Sequence, residues 1–180
     1  MSDELEDSAI VKAEEEIAEN KGAEAVETAS ELPELKPEDA VAWFEKGKAL
    51  YVADDFEEAL ACLSKAAEIS KEQPEIWQVM GYCLIALNRY GEARDALEYV
   101  KAVQPANLEV LYALGISYVL LGEAQKGKDN LKLAFAIDRK RALALSDEVY
   151  KKLFETSPNV SSYVKSLVER ALETIRLKGD

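Results

Sequence analysis

The sequence predicts an all-α protein built as a solenoid of helical hairpins, and three observations carry that prediction. Gly47, Gly81 and Gly115 recur at a fixed spacing of 34 residues. A period of that size signals stacked supersecondary units rather than one globular core. Apolar residues around these glycines fall at helical spacing: Trp77, Met80, Gly81 and Leu84 share one face of a helix, and Ala93, Leu97 and Val100 share one face of the next. Only five prolines and eight glycines interrupt 180 residues, of which 48 % are hydrophobic. That is ample for the core of a mainly helical chain.

Taken in order, residues 1–36 hold twelve acids and three lysines, net −9 of the chain's −13. Their few apolar side chains cannot offset the entropy of ordering, so a mobile acidic segment with transient helix is expected. Asn20-Lys21-Gly22 separates two Ala/Glu-rich stretches, which leaves a worn N-terminal helical pair as the alternative. Helices are expected over 38–53, 56–70, 74–87, 90–103, 108–121 and 124–137. The turn inside the middle unit is assigned to Asn88-Arg89-Tyr90-Gly91, and Pro105 ends the helix before it. A glycine inside a helix costs about 1 kcal/mol relative to alanine, so its recurrence predicts close helix approach, at Ala93 for Gly81.

Beyond Arg139 the glycine register fails, because Val149 stands where glycine would recur. Leu145, Val149 and Leu153 continue the helical spacing. Ser157-Pro158 then supplies an N-cap and a proline for the first helical position. From Val160 to Ile175 an apolar stripe runs through Val164, Leu167, Val168 and Leu172. Repeat arrays need atypical terminal units, so 142–180 is expected to be a degenerate helical pair that caps the array. The domain organisation is then an acidic segment (1–36), three repeats within 37–141 (40–73, 74–107 and 108–141) and the cap (142–180).

Composition removes several function classes. The chain has no histidine, the residue most used for acid–base chemistry and zinc binding near neutral pH. A net charge of −13 disfavours nucleic acid and anionic membranes as partners, since both require clustered Lys and Arg. The start, Met-Ser-Asp-Glu-Leu-Glu-Asp, lacks a basic and apolar leader, and the apolar stretch Leu108 to Leu121 is too short to span a bilayer. A cytoplasmic protein is expected, for which the sequon Asn159-Val160-Ser161 carries no weight. Cys62 and Cys83 lack metal-ligand spacing and read as small buried thiols.

One stretch imitates a phosphate-binding loop. Gly122 to Lys128 satisfies G-x-x-x-x-G-K, but Asp129 stands where a Ser or Thr hydroxyl would meet magnesium. It also follows a helix rather than a strand, so it reads as the turn of the third repeat. Asp54-Asp55 and Asp147-Glu148 read as solvated helix ends rather than catalytic pairs. No catalytic residue, cofactor or metal is expected.

These spacings resemble the tetratricopeptide repeat, whose pattern is W-x2-L-G-x2-Y, A-x3-F, then P. The first unit matches with Trp43, Gly47, Leu50, Ala59 and Leu63, and departs at Lys46 and Lys71. The third matches with Leu114, Gly115, Tyr118 and Leu131, and departs at Leu111, Gly127 and Arg139. The resemblance implies a right-handed α-solenoid of three hairpins that binds proteins without catalysis, as an adaptor, scaffold or chaperone-like module. It places a peptide or amphipathic helix in a concave groove lined by Phe44, Lys48 and Tyr51, by Gln78, Tyr82 and Ile85, and by Tyr112, Ile116 and Val119. Of the clamp by which related cochaperones hold acidic tails, only Lys48 survives, since Phe44, Val79, Glu109 and Ala113 replace the rest. In size and repeat number the chain is also similar to translocator chaperones of type III secretion. The alternative is a self-associating homo-oligomer whose apolar groove is covered by its own C-terminal helix or by a second copy.

Overall fold

In a computed structural model, residues 39–150 are described, and they form α1 (Ala40–Val52), α2 (Phe56–Ile69), α3 (Pro74–Ala86), α4 (Tyr90–Val103), α5 (Leu108–Leu120), α6 (Ala124–Ile137) and α7 (Arg139–Tyr150). The first six agree with the expected helices to within two residues at either end. The expectations for 1–36, and for the cap beyond residue 150, lie outside the described residues. Contacts divide the chain into two units, one ending at Val79 and one beginning at Met80, so the boundary falls inside α3.

The turn within each repeat is built the same way. Asp54, Asn88 and Gly122 take positive φ values of 60°, 59° and 81°, at the same position of successive repeats. These are the three residue types that enter the left-handed region most readily, two through short polar side chains and one through having no Cβ. Each sits just past a helix end. The Asp54 N–H donates to the Tyr51 carbonyl and the Asp55 N–H to that of Leu50; Asn88 and Arg89 repeat the pair on Ile85 and Leu84, Gly122 and Glu123 on Val119 and Tyr118. This pair of hydrogen bonds satisfies carbonyls that the helix end would orphan. Tyr90 and Gly91, where the expected turn and the expected helix overlapped, are the first residues of α4.

In the first unit α1 packs on α2 over a core of Leu50, Ala59, Leu63 and Ala66. Asp39 caps α1 by accepting from the Ala42 N–H at 2.9 Å, and Asp55 caps α2 at the Glu58 N–H. A Cβ on Gly47 would stand 2.7 Å from Leu63 Cγ. The Trp77 indole N–H, at the start of α3, donates to the Lys71 carbonyl at 2.9 Å and anchors the connector from α2.

In the second unit Gly81 and Gly115 repeat the same contact. Their hypothetical Cβ atoms would lie 2.6 Å from Leu97 Cγ and 2.7 Å from Leu131 Cγ. The partner of Gly81 is therefore Leu97, one helical turn beyond Ala93, the residue expected from the sequence. The third hairpin is tighter, because Gly127 replaces the usual alanine. A Cβ there would meet Val119 Cγ2 at 2.6 Å and the Gly115 carbonyl oxygen at 2.9 Å. α5 is the central helix, packed against α4, α6 and α7, with ten of its thirteen residues buried.

The fourth first-type helix, α7, begins at Arg139, not at Ala142 as the register predicts. Without a proline at 139 the connector shrinks to Asp138 alone. This residue ends α6 in an extended conformation and caps α7, accepting from the Arg141 N–H at 2.9 Å.

Gly81→Ala should destabilise the protein by about 1–3 kcal/mol despite alanine's better helix propensity, because Leu97 is buried and cannot recoil. Gly127→Ala should be no milder, since a backbone oxygen stands in the way, although alanine fills the same position in the other repeats. Urea denaturation midpoints check both.

Candidate functional site

The residues expected to line a groove fall into two sets, one in each unit. In the first unit, Phe44, Lys48 and Tyr51 follow one another along α1, with Lys48 exposed and both rings half-buried. The Lys48 ammonium lies 5.2 Å from the Phe44 ring centroid and 3.0 Å from the Glu45 carboxylate. The Tyr51 ring packs on Phe56 at a centroid distance of 5.9 Å and a 56° tilt, joining the end of α1 to the start of α2. An exposed pair such as Glu45–Lys48 contributes ~0–1 kcal/mol, so it leaves the ammonium available to a better acceptor. Gln78, on the α3 residues of this unit, is half-buried.

In the second unit Tyr82 and Ile85 are half-buried on α3. Tyr112, Ile116 and Val119 are each only 2 % exposed. These three are buried rather than lining an open groove, Val119 against Gly127 of α6 and Tyr112 under α7. They belong to one core with Leu108, Leu131, Phe135 and Ala142, against which Leu143 and Leu145 pack. The Tyr112 hydroxyl donates to Ser146 Oγ at 3.1 Å, and Ser146 Oγ in turn donates to the Ala142 carbonyl at 2.8 Å. At the rim Arg141 reaches Glu109 at 3.2 Å. The covering residues were readable in the register, since Ala142 and Ser146 stand one repeat after Leu108 and Tyr112.

The edge of this unit carries a polar network. The Tyr118 hydroxyl donates to Glu98 at 2.8 Å, Arg94 lies 3.6 Å from Glu123, and Lys126 bonds Glu123 at 2.6 Å while standing over the Tyr118 ring. The Lys126 hydrogen bond, with Arg94 adding to it, holds the Glu123 carboxyl below its usual range. Burial, reinforced by Glu98, pushes the Tyr118 phenol up to about 12. These groups tie α4 and α6 to α5.

The Gly122 to Lys128 stretch does not form a phosphate cradle. Gly122 is the left-handed turn residue, whereas Gly127 lies inside α6 and is buried against α5, so its N–H serves the helix. Among the described residues no group of His, Cys, Asp and Glu has the arrangement to hold a metal, and no helix is long and apolar enough to cross a membrane. Cys62 and Cys83 are buried free thiols, and desolvation raises both, Cys83 to about 12.

Hairpins with a glycine–leucine contact at a 34-residue period are the construction of tetratricopeptide repeats, and the described residues of this chain have that helical-repeat fold. Residues 19–100 match the family described as anaphase-promoting complex, cyclosome, subunit 3. Among solved structures, the protein MamA MSR-1 C2 is similar with a TM-score of 0.60 and 19 % identity, over 86 % of this chain and 89 % of that one. The first tetratricopeptide domain of Spaghetti (RPAP3), solved bound to the HSP90 peptide SRMEEVD, has a TM-score of 0.56 and 12 % identity, over 79 % of this chain and 97 % of that one. The Sgt2 tetratricopeptide domain from Aspergillus fumigatus has a TM-score of 0.53 and 14 % identity, over 76 % of this chain and 79 % of that one. At these identities the likeness shows the fold, a helical repeat of the solenoid type. No curated protein matches the chain.

The raised groups define an alkaline limit. An unfolded cysteine ionises near 9.0 and an unfolded tyrosine near 10.0, whereas folded Cys83 and Tyr118 stay protonated to about 12. The unfolded chain therefore releases protons first. The stability these groups contribute is complete below pH 9 and is lost as pH rises toward 12. Denaturation midpoints measured across that range should fall, and Cys83→Ala and Tyr118→Phe should each flatten part of the slope.

Proposed function

We propose that this protein is a non-catalytic protein-interaction module that holds a peptide or amphipathic helix against the open face of α1. The observation that carries the reading is the composition of α1, where Phe44, Lys48 and Tyr51 combine two partly open aromatic rings with an exposed ammonium. Packing within the α1–α2 hairpin runs through Gly47 and Leu50, with Tyr51 reaching Phe56 at one end, and leaves Phe44 and Lys48 outside the core. Such a surface suits a ligand with apolar anchors at helical spacing and an acidic group for Lys48.

The domain of Spaghetti (RPAP3) holds a peptide that ends in Glu-Val-Asp, which supports peptide binding as a use of this fold. The departures at Phe44, Val79, Glu109 and Ala113 argue for a different ligand here. With Tyr112, Ile116 and Val119 buried, the binding reading rests on Phe44, Lys48 and Tyr51 of α1. Adaptor, scaffold and chaperone-like roles all use this mode of binding.

Selection from a displayed peptide library tests the reading. Selected peptides should carry apolar anchors and an acid, should lose most of their affinity for Phe44→Asp and Lys48→Glu, and should still bind Tyr99→Ser. Both groove variants should melt close to the parent, because neither residue is in the core. Peptides that bind the groove variants unchanged would overturn the assignment.

A further inference from the structure

α1 has a second side, away from Phe44, Lys48 and Tyr51, on which Ala42, Lys46 and Ala49 lie at i, i+4 and i+7. Ala42 and Ala49 stand where α5 has Val110 and Ser117, two fully buried residues of a helix that packs against the preceding α4. On α1 both alanines are half-buried, and among the described residues no helix precedes it. Trp43 borders the same side. Its indole N–H is buried but has no acceptor among the described residues, whereas the great majority of buried donors in native proteins have one. One repeat later the Trp77 indole donates to the Lys71 carbonyl, six residues before it. The residue in that place before Trp43 is Pro37.

The chain ahead of α1 keeps the register of the repeat. Asn20 stands one period before Asp54, Asn88 and Gly122, the left-handed turn residues, and asparagine enters that region readily. Ala25 precedes Ala59, Ala93 and Gly127 at the small position of the second helix, and Pro37 precedes Lys71 and Pro105 at the end of the repeat. Ala13 and Ala29 stand one period before Gly47 and Leu63. The helix that gains a Cβ thus faces a methyl group, where a leucine would exclude it. Charge agrees as well: Lys46 takes the place of Met80 and Leu114, and residues 1–36 have a net charge of −9. The family match begins at residue 19 and runs through this stretch into the described repeats. The departures are Glu16, in the place of Leu50, and Pro33, inside the second helix.

We propose that residues 6–39 of the same chain form a further repeat, whose second helix packs on Ala42, Trp43, Lys46 and Ala49 of α1. Pro33 ends that helix about one turn early, and the Pro37 carbonyl accepts from the Trp43 indole. A helical pair, rather than a mobile acidic segment, then accounts for the start of the chain. The arm leaves Phe44, Lys48 and Tyr51 open, so an external ligand meets α1 on one side only.

Urea denaturation and hydrogen exchange of the Trp43 indole proton, assigned with Trp43→Phe, test this on the full chain. Ala25→Asp and Ala29→Asp should each lower the denaturation midpoint and speed that exchange by about tenfold or more, because each puts a charge inside the added hairpin. Ala23→Asp should do neither, since it puts the same charge one period before the exposed Glu57. Protection of the indole proton in the parent should be unchanged by dilution, which separates the chain's own segment from that of a second copy. Three alanine variants that behave alike, protection lost on dilution, or an indole proton that exchanges in the parent as fast as in urea would each overturn the proposal.

Discussion

The contact between a glycine on the first helix of a hairpin and a leucine on the second is the constraint on which the rest of the protein depends. At Gly47–Leu63, Gly81–Leu97 and Gly115–Leu131 the leucine side chain lies where a Cβ would otherwise be. Removing one methyl-sized group from each first helix lets the two helices close onto a leucine that is fully buried. The loss of helix propensity at the glycine is about 1 kcal/mol, comparable with a fraction of the 2–3 kcal/mol that burying a leucine returns. Because the exchange recurs every 34 residues, every hairpin is closed by the same glycine–leucine contact.

The turn supports that geometry from the other end. A left-handed residue with paired carbonyl bonds reverses the chain in three residues, and it recurs as Asp54, Asn88 and Gly122. The pattern explains why the second helices start in phase with the first ones. It also explains the resemblance of Gly122 to Lys128 to a nucleotide-binding loop: one glycine answers to the turn and the other to helix packing, and the spacing between them belongs to the hairpin.

Burial is uneven along the array, and that bears on function. α5 is surrounded, and α7 takes up the tyrosine and aliphatic residues that face away from its own hairpin. Phe44, Lys48 and Tyr51 keep partial access to solvent. Equivalent positions thus become core in the third repeat and candidate binding surface in the first. The difference is made by the helix that follows, not by the chemistry of the positions themselves.

Period, helix limits and the small-residue face were legible in the sequence because they are local. Apolar spacing, glycine recurrence and capping residues act within a few turns of chain, and they determined the all-α repeat and six of its helices by themselves. The sequence did not reveal that Leu97 rather than Ala93 fills the space at Gly81, since that depends on how two helices slide along each other. Nor did it reveal that α7 would start at Arg139, where the missing proline let one aspartate serve both helices. The burial of Tyr112, Ile116 and Val119 was likewise decided by tertiary structure alone. An aromatic or branched side chain on a helix face is the same signal whether water, a ligand or another helix lies against it, and only packing settles which.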